Sequence, residues 1–274
     1  MKAKLKKIPM YAFLLVFTFF CLYPLLWLFI SSLKTNNELF ESPWSLPDSW
    51  LFSNYITAFK MGNIGRYFIN SVIVTLTSVT LSVLLGAMAA YGVTRLKWRF
   101  ASYAAAVLSM GLMVPAYGSI IPLFSMFLKL NILNTYLAVI IPHVTFAIPM
   151  VIVIQSGFFA SVPKELEEAA VIDGCGLIKA FYKIIMPISI SPIVTAAVVC
   201  MINIWNDLLF SQVFLTDAAK MTLPVGLTAF QGRYSTDYVN MFAAIVIAVL
   251  PVMAAYIVLH NRIIEGMSAG AVKG

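Results

Sequence analysis

Six long stretches of this chain contain no charged residue. Each is at least 23 residues long, and a helix needs only about 20 apolar residues to cross the hydrocarbon core of a bilayer. None is long enough for two crossings joined by a turn. The alternating pattern of a membrane β-strand is absent, so each stretch is predicted to be a helix. The stretches run from Ile8 to Leu33, Tyr67 to Thr94, Phe100 to Leu128, Leu130 to Pro163, Ile184 to Asn206 and Tyr238 to Asn261.

The composition agrees with a chain that has lipid as its solvent. Of the 274 residues, 61% are hydrophobic and 11% are charged, whereas about a quarter of an ordinary soluble domain is charged. The sequence therefore predicts an all-α membrane protein with six transmembrane helices. We expect an N-terminal helix with an external segment (1–66), a core of five helices (67–260) and a C-terminal tail (261–274). The first helix is too long for a signal peptide and lacks a small-residue cleavage site.

The positions of lysine and arginine predict the orientation of the helices. If the N-terminus is cytoplasmic, twelve of the 18 basic residues lie on the cytoplasmic side and six on the other, which is the usual bias. Both termini are then cytoplasmic, in a multi-pass protein of the bacterial cytoplasmic (inner) membrane. No basic face is interleaved with aromatic residues, so no nucleic acid is expected as a partner. The three cysteines fall in membrane or cytoplasm, where no disulfide is expected.

One spacing pattern, which begins in the segment between the fourth and fifth predicted helices, is specific enough to indicate a protein family. Three residues separate Glu168-Ala169-Ala170 from Gly174. Nine further residues separate Gly174 from the run Ile184-Ile185-Met186-Pro187. The glycines predict two short helices joined at Gly174. The pattern resembles the signature of permease subunits of ABC importers and departs from it only in Met186. The resemblance implies a type I ABC importer permease fold whose loop at 161–187, here called the coupling loop, docks on an ATP-binding subunit. It assigns that contact to Glu168, Ala169, Ala170, Asp173, Gly174, Phe181, Ile184 and Pro187.

Three further segments indicate which kind of ABC importer the chain resembles. Trp205-Asn206-Asp207, the run from Thr222 to Leu227 and the ending Ala269 to Gly274 resemble carbohydrate ABC importers, closest to the shorter permease of the maltose-importer type. This implies a sugar substrate, a second homologous permease, two ATP-binding subunits and an external solute-binding protein. It also implies that the tail, through Gly270, Lys273 and Gly274, enters the interface of the ATP-binding subunits. The tail is short and rich in glycine and alanine, so it is expected to become ordered only on a partner.

Two of the polar residues in or near the spans, Asp207 and His143, allow two interpretations. Asp207 lies at the end of the fifth span, and with Trp205 and Asn206 it is a candidate for the substrate pathway. The alternative is an interfacial acid with access to water. His143 lies beside Pro142, where it is predicted to bond a carbonyl freed by the kink, with a proton relay as the alternative. His260 is expected at the membrane interface.

The sequence lacks the motifs that would give the chain chemistry of its own. The patterns G-x-x-x-x-G-K-[ST], H-E-x-x-H and G-x-S-x-G do not occur, and two separated histidines do not build a metal site. No catalytic residue, metal or directly bound cofactor is predicted, and ATP and magnesium are expected in partner subunits. The alternative functions are an ion-coupled secondary transporter of a small solute and an intramembrane enzyme.

Overall fold

The fold is given by a computed structural model that describes residues 7–61, 63–230 and 236–271. The described chain is helical throughout its regular structure. It forms two compact units, one made of residues 1–65 and 226–250 and the other of 66–225 and 251–274. The first division falls within one residue of position 66, and residues 226–250 of the expected five-helix core group with the N-terminal residues.

Four unbroken helices among the described residues are long and apolar enough to cross a membrane. They are α1 (Ile8–Ser31), α4 (Ile64–Thr94), α7 (Tyr136–Phe159) and α14 (Tyr238–Ala271). Two further spans are bent helix pairs, with angles of 86° and 80°. When each bent pair counts as one span, the described residues contain six candidate crossings, each of which overlaps one of the six predicted stretches.

The first bent pair contains α5 (Ala101–Met110) and α6 (Ile120–Lys129), separated by two short 3₁₀ turns. The break falls at Pro115, whose ring cannot continue the helical hydrogen-bond ladder. Pro142 and Pro149, by contrast, remain inside α7, which continues through both. The third and fourth spans contain Pro115, Pro122, Pro142 and Pro149, and the helix is broken only at Pro115.

The second bent pair begins earlier than the predicted fifth span. Helix α9 (Leu177–Ala180) continues through a π-helical turn (Phe181–Ile185) into α10 (Met186–Ile188), and after Ser189 the chain turns into α11 (Ile190–Trp205). Pro187 has no N–H for the preceding turn, which accounts for the widened π-helical turn before it. The bent pair therefore begins at Leu177 rather than at the expected Ile184, and it bends at Ser189.

The segment that follows α1 folds into α2 (Asn36–Glu41) and α3 (Ser53–Met61). Thr35 and Glu38 form a capping box at the start of α2, and the hydrogen bonds from Thr35 lower the pKa of the Glu38 carboxyl. The ammonium group of Lys34 is fully buried and donates to the carbonyl of Ser42 at 2.8 Å, where the carbonyls of α2 end. A positive charge stabilises that end of a helix.

Helices α4 and α7 approach each other closely in the second unit. A Cβ placed on Gly86 would lie 2.6 Å from the Val151 side chain, so the absent side chain at Gly86 is what lets the helices approach. This agrees with the small residues that the sequence shows at the end of the second span. The remaining helices of this unit are α8 (Glu165–Ile172), α12 (Leu209–Phe214) and the first part of α13 (Leu223–Thr228).

The last helix extends beyond its predicted end. Helix α14 runs to Ala271, so most of the segment expected to be a tail without a fold of its own is a continuation of the sixth span. Arg262 and Glu265 form an ion pair one turn apart at 3.4 Å, which favours helix there. Of the three predicted tail contacts, Gly270 lies in this helix, whereas Lys273 and Gly274 lie outside the described residues.

Candidate functional site

The coupling loop is closed by a helix-ending motif at Gly174. Helix α8 ends at Ile172, and Gly174 has a φ of +77°, which glycine adopts without strain. The Gly174 N–H donates to the Val171 carbonyl at 3.0 Å, and the Cys175 N–H donates to the Ala170 carbonyl at 2.8 Å. These two bonds are those of a Schellman motif. The spacing from the alanines to the glycine therefore places glycine where the helix must turn.

The second half of the coupling loop is anchored in the membrane-proximal core. Phe181 and Ile185 are buried in a cluster with Tyr91 of α4 and Phe159 of α7. The ring centroids of Phe181 and Tyr91 are 5.1 Å apart. This packing fixes the loop to the ends of two spans, so movement of the loop requires movement of those helices.

Arg95 ties the first half of the loop to the same two spans. Its guanidinium group is buried after the end of α4 and donates to the carboxylate of Glu167 in α8. It also donates to the carbonyls of Phe159 at 3.1 Å and Val162 at 2.7 Å, near the end of α7. A single side chain thus joins the end of α4, the end of α7 and the first helix of the coupling loop.

The outer surface of the coupling loop is apolar. Ile172 is 86% exposed and Ile178 is 77% exposed, and Val171 and Leu177 are also exposed. Four large aliphatic side chains on one short loop form a patch of the kind that marks an interaction site. We call these four residues the apolar patch.

The eight residues assigned to the coupling contact divide into two groups. Glu168, Ala169, Asp173, Gly174 and Pro187 are exposed and available to a partner. Ala170 and Phe181 are buried, and Ile184 is partly buried, so these three hold the loop in place rather than forming its outer surface. Their direct contact with an ATP-binding subunit stays a prediction.

The candidate substrate-pathway residues differ in their surroundings. Asp207 is 3% exposed, so the interpretation as an interfacial acid with access to water is wrong. Its carboxylate accepts bonds from the Ser211 N–H at 3.1 Å and the Ser211 hydroxyl at 3.2 Å, at the start of α12. Trp205 is buried and meets the edge of Phe68, and Asn206 is exposed with its amide bonded to the Ile202 carbonyl.

The structure brings His143 to Asp207. The Nε2 atom of His143 lies 3.6 Å from the Asp207 carboxylate, and Nε2 has no hydrogen-bond partner in the described part of the chain. The predicted bond from His143 to a carbonyl freed by Pro142 is therefore not present. His260 is partly exposed near the end of α14, and its Nδ1 lies 3.0 Å from the Ile257 carbonyl.

The chain thus combines long apolar helices with an exposed loop that is fixed to the ends of two of them, and comparison with known proteins gives the family. Residues 82–268 match the family described as binding-protein-dependent transport system inner membrane component. This chain belongs to that family. It is an ABC transporter permease, a multi-pass membrane protein and a transport subunit rather than an enzyme, which sets aside the alternative functions.

Curated relatives cover nearly the whole chain. The diacetylchitobiose uptake system permease protein NgcG of Streptomyces coelicolor is 37% identical over 262 residues, which are 95% of this chain and 87% of NgcG. The melibiose/raffinose/stachyose import permease protein MelC of Bacillus subtilis is 33% identical over 248 residues, 90% of each chain. A solved bacterial ABC transporter that imports alginate is similar with a TM-score of 0.81 and 21% identity, covering 95% of this chain and 97% of its own. That likeness confirms the ABC importer permease fold.

Two features at the coupling loop have no clear sequence signal. From the sequence, Arg95 counts only among the charges that orient the helices, and its 72-residue separation from Glu167 hides their contact. The apolar patch gives no distinct sequence signal, because short pairs of aliphatic residues such as these occur throughout the chain. A weak signal for Arg95 is that it is the first charge after a 28-residue apolar stretch.

Proposed function

We propose that this chain is the membrane-spanning half of an ATP-driven importer for a sugar, with an oligosaccharide as the expected substrate. It pairs with a second homologous permease, two ATP-binding subunits that hold ATP and magnesium, and an external solute-binding protein. Both termini and the coupling loop lie on the cytoplasmic side. The observation that carries the proposal is the apolar patch on a loop that is itself fixed to two spans.

The geometry of the loop supports mechanical coupling. A partner that binds the apolar patch covers surface that is costly to leave in water. Because Phe181 and Arg95 fix the loop to α4 and α7, a displacement of the docked partner reaches those helices as a rigid-body movement. ATP hydrolysis in the partner then changes which side of the membrane the pathway faces. Ala170 and Ile184 serve this coupling from inside the loop.

The choice of a sugar rests on the relatives. Their names specify permeases for diacetylchitobiose, for melibiose, raffinose and stachyose, and for trehalose. These are different carbohydrates in different organisms, and the identity extends over at least 90% of this chain in each case. A common carbohydrate class is therefore the simplest assignment for this chain.

The docking step is tested by tagging this chain and measuring how much ATP-binding subunit it retains on purification. Ile172→Ser and Ile178→Ser remove the two most exposed side chains of the apolar patch. Each is expected to lower retention, because each removes about 1.5–3 kcal/mol of apolar burial at the contact. Lys97→Ser, an exposed position on another loop of the same predicted side, is the matched control.

The outcomes separate docking from a weaker alternative. If the apolar patch only rests on the membrane surface, the isoleucine variants retain the ATP-binding subunit as well as the Lys97→Ser variant does. Equal retention in all three would contradict the proposal.

A further inference from the structure

A cavity of about 320 Å³ lies inside the second unit. Its wall is shared by the bend of the third span, by α7, by α11 and by the start of α12. The volume is at the lower end of the range for ligand sites, about 300–1,000 Å³. Among its lining residues are Tyr117, His143, Phe146, Asn203 and Phe210.

The bend at Pro115 forms part of the cavity wall. The two halves of the third span meet there at 86°, and Tyr117 lies between them. Tyr117 is 53% exposed and its ring lies 5.4 Å from that of Phe210. Phe210 also stacks on Phe146 with nearly parallel rings, at 6.1 Å. The cavity therefore has one aromatic wall whose outermost ring, Tyr117, keeps an open surface.

One buried polar atom of the cavity wall has no hydrogen-bond partner among the described residues. The His143 side chain is 8% exposed and lines the cavity, and its Nε2 atom has no hydrogen bond in the described part of the chain. Asp207, at 3.6 Å, is beyond hydrogen-bond distance and is engaged by Ser211. A buried nitrogen without a partner is unfavourable and rare. A hydroxyl group of a ligand in the cavity would supply the missing bond.

Asn203 adds a second polar group at the cavity wall. Its amide nitrogen donates to the Val199 carbonyl at 3.1 Å, which fixes the side chain and leaves its oxygen to accept a bond. An imidazole and an amide beside an open tyrosine ring match the two surfaces of a sugar, which has hydroxyl groups at its edge and C–H groups on its face. A ligand without hydroxyl groups would leave His143 unsatisfied.

We infer that this cavity binds one ring of the transported sugar, so that this chain contacts its substrate directly. The inference rests on the proposed function and makes it more specific. The sugar ring stacks on Tyr117, and its hydroxyl groups bond His143 Nε2 and the Asn203 side-chain oxygen. Asp207 holds the start of α12 and thereby the position of Phe210.

The test uses the intact complex, purified through a tag on this chain and placed in liposomes. Trehalose, melibiose and diacetylchitobiose are added with the solute-binding protein, and a sugar that stimulates ATP hydrolysis becomes the ligand for the second step. Cys21, Cys175 and Cys200 are first replaced by alanine. A cysteine is then introduced by Asn203→Cys, or by Val199→Cys as a second reporter, and its reaction with a small thiol reagent is followed.

The stimulating sugar is expected to slow labelling at the reporter at least fivefold. It should not slow labelling of the Tyr103→Cys control, which lies in the same unit, is exposed and does not line the cavity. With the Val199→Cys reporter, His143→Leu should raise the sugar concentration needed for protection about tenfold, because one hydrogen bond is lost. His143→Gln, which keeps a hydrogen-bonding group, should restore most of the protection.

The possible results test the proposed function, the sugar site and the role of His143 separately. If no sugar stimulates ATP hydrolysis, the proposed function fails and the inference fails with it. If a sugar stimulates hydrolysis but leaves labelling at both reporters unchanged, the inference alone is overturned. Protection that is the same in His143→Leu as in the unchanged chain would remove His143 from the site.

Discussion

Replacing Gly174 by alanine changes the backbone of the coupling loop and nothing else around it. A Cβ at this position would meet no atom within 4 Å, so no clash contributes to the effect. The φ of +77° is the entire cause, and this conformation costs a residue with a side chain about 1–2 kcal/mol. The closed Schellman turn would therefore become about five- to thirtyfold less favourable relative to open forms.

Gly176 is the matched control for this substitution. A methyl group added there would also have no atom within 4 Å, but the φ of −70° and ψ of 163° at Gly176 suit any residue. Gly176→Ala is expected to leave the turn unchanged, and Gly174→Asn is expected to fall between the two, since asparagine tolerates positive φ better than alanine. The comparison thus separates backbone conformation from the mere presence of a methyl group.

Hydrogen exchange of the backbone amides measures the effect without any partner subunit. The Gly174 and Cys175 N–H groups close the turn, so a peptide that covers them should exchange about five- to thirtyfold faster in Gly174→Ala. Retention of the ATP-binding subunit should fall in the same variant. Equal exchange in Gly174→Ala and Gly176→Ala would refute the reasoning, because the two glycines would then have the same role.

Four other perturbations test the remaining parts of the account. Arg95→Ala leaves Glu167 without its buried partner and should cost about 3–5 kcal/mol of stability, measured by thermal unfolding in detergent. Arg262→Ala breaks an exposed pair and should cost less than about 1 kcal/mol in the same assay. Similar values for both variants would contradict the role of Arg95. Gly86→Ala should destabilise by about 1–3 kcal/mol because its methyl group meets Val151, while Gly92→Ala, with nothing within 4 Å, should be neutral or stabilising in the same assay. A cysteine at Asn37 should react with an impermeant thiol reagent from outside intact cells and cysteines at Lys97 and Lys179 should not; the reverse pattern would overturn the proposed orientation. Deleting residues 269–274 should weaken retention of the ATP-binding subunits without changing the amount of permease in the membrane, and unchanged retention would leave those residues without the proposed contact.

The amino-acid sequence determined the class of the fold because lipid imposes a simple requirement. Every backbone polar group must be satisfied within the chain, so a long charge-free stretch has to be a helix. The six stretches accordingly correspond to the four unbroken helices and two bent pairs. The sequence also specified the turn at Gly174, since glycine at that spacing is the residue a helix needs to end in a Schellman motif.

The local sequence does not determine where the third and fifth spans bend. Four prolines occur in the third and fourth spans, yet only Pro115 breaks its helix, because neighbouring helices decide whether a freed carbonyl can be satisfied in place. The early start of the second bent pair has the same origin. Phe181 and Ile185 pack on α4 and α7, and that packing favours a turn at Ser189 over a straight span.

Tertiary structure alone decided which polar groups meet. Arg95 and Glu167 are 72 residues apart in sequence and become partners because α4 and α7 end side by side. His143 in α7 and Asp207 in the turn before α12 lie 3.6 Å apart, and His143 lines a cavity beside the bend of the third span. Apolar residues such as Ile172 look the same in sequence whether they face lipid, a core or a partner. Only the fold, by burying Phe181 and exposing Ile172, assigns each of them its environment.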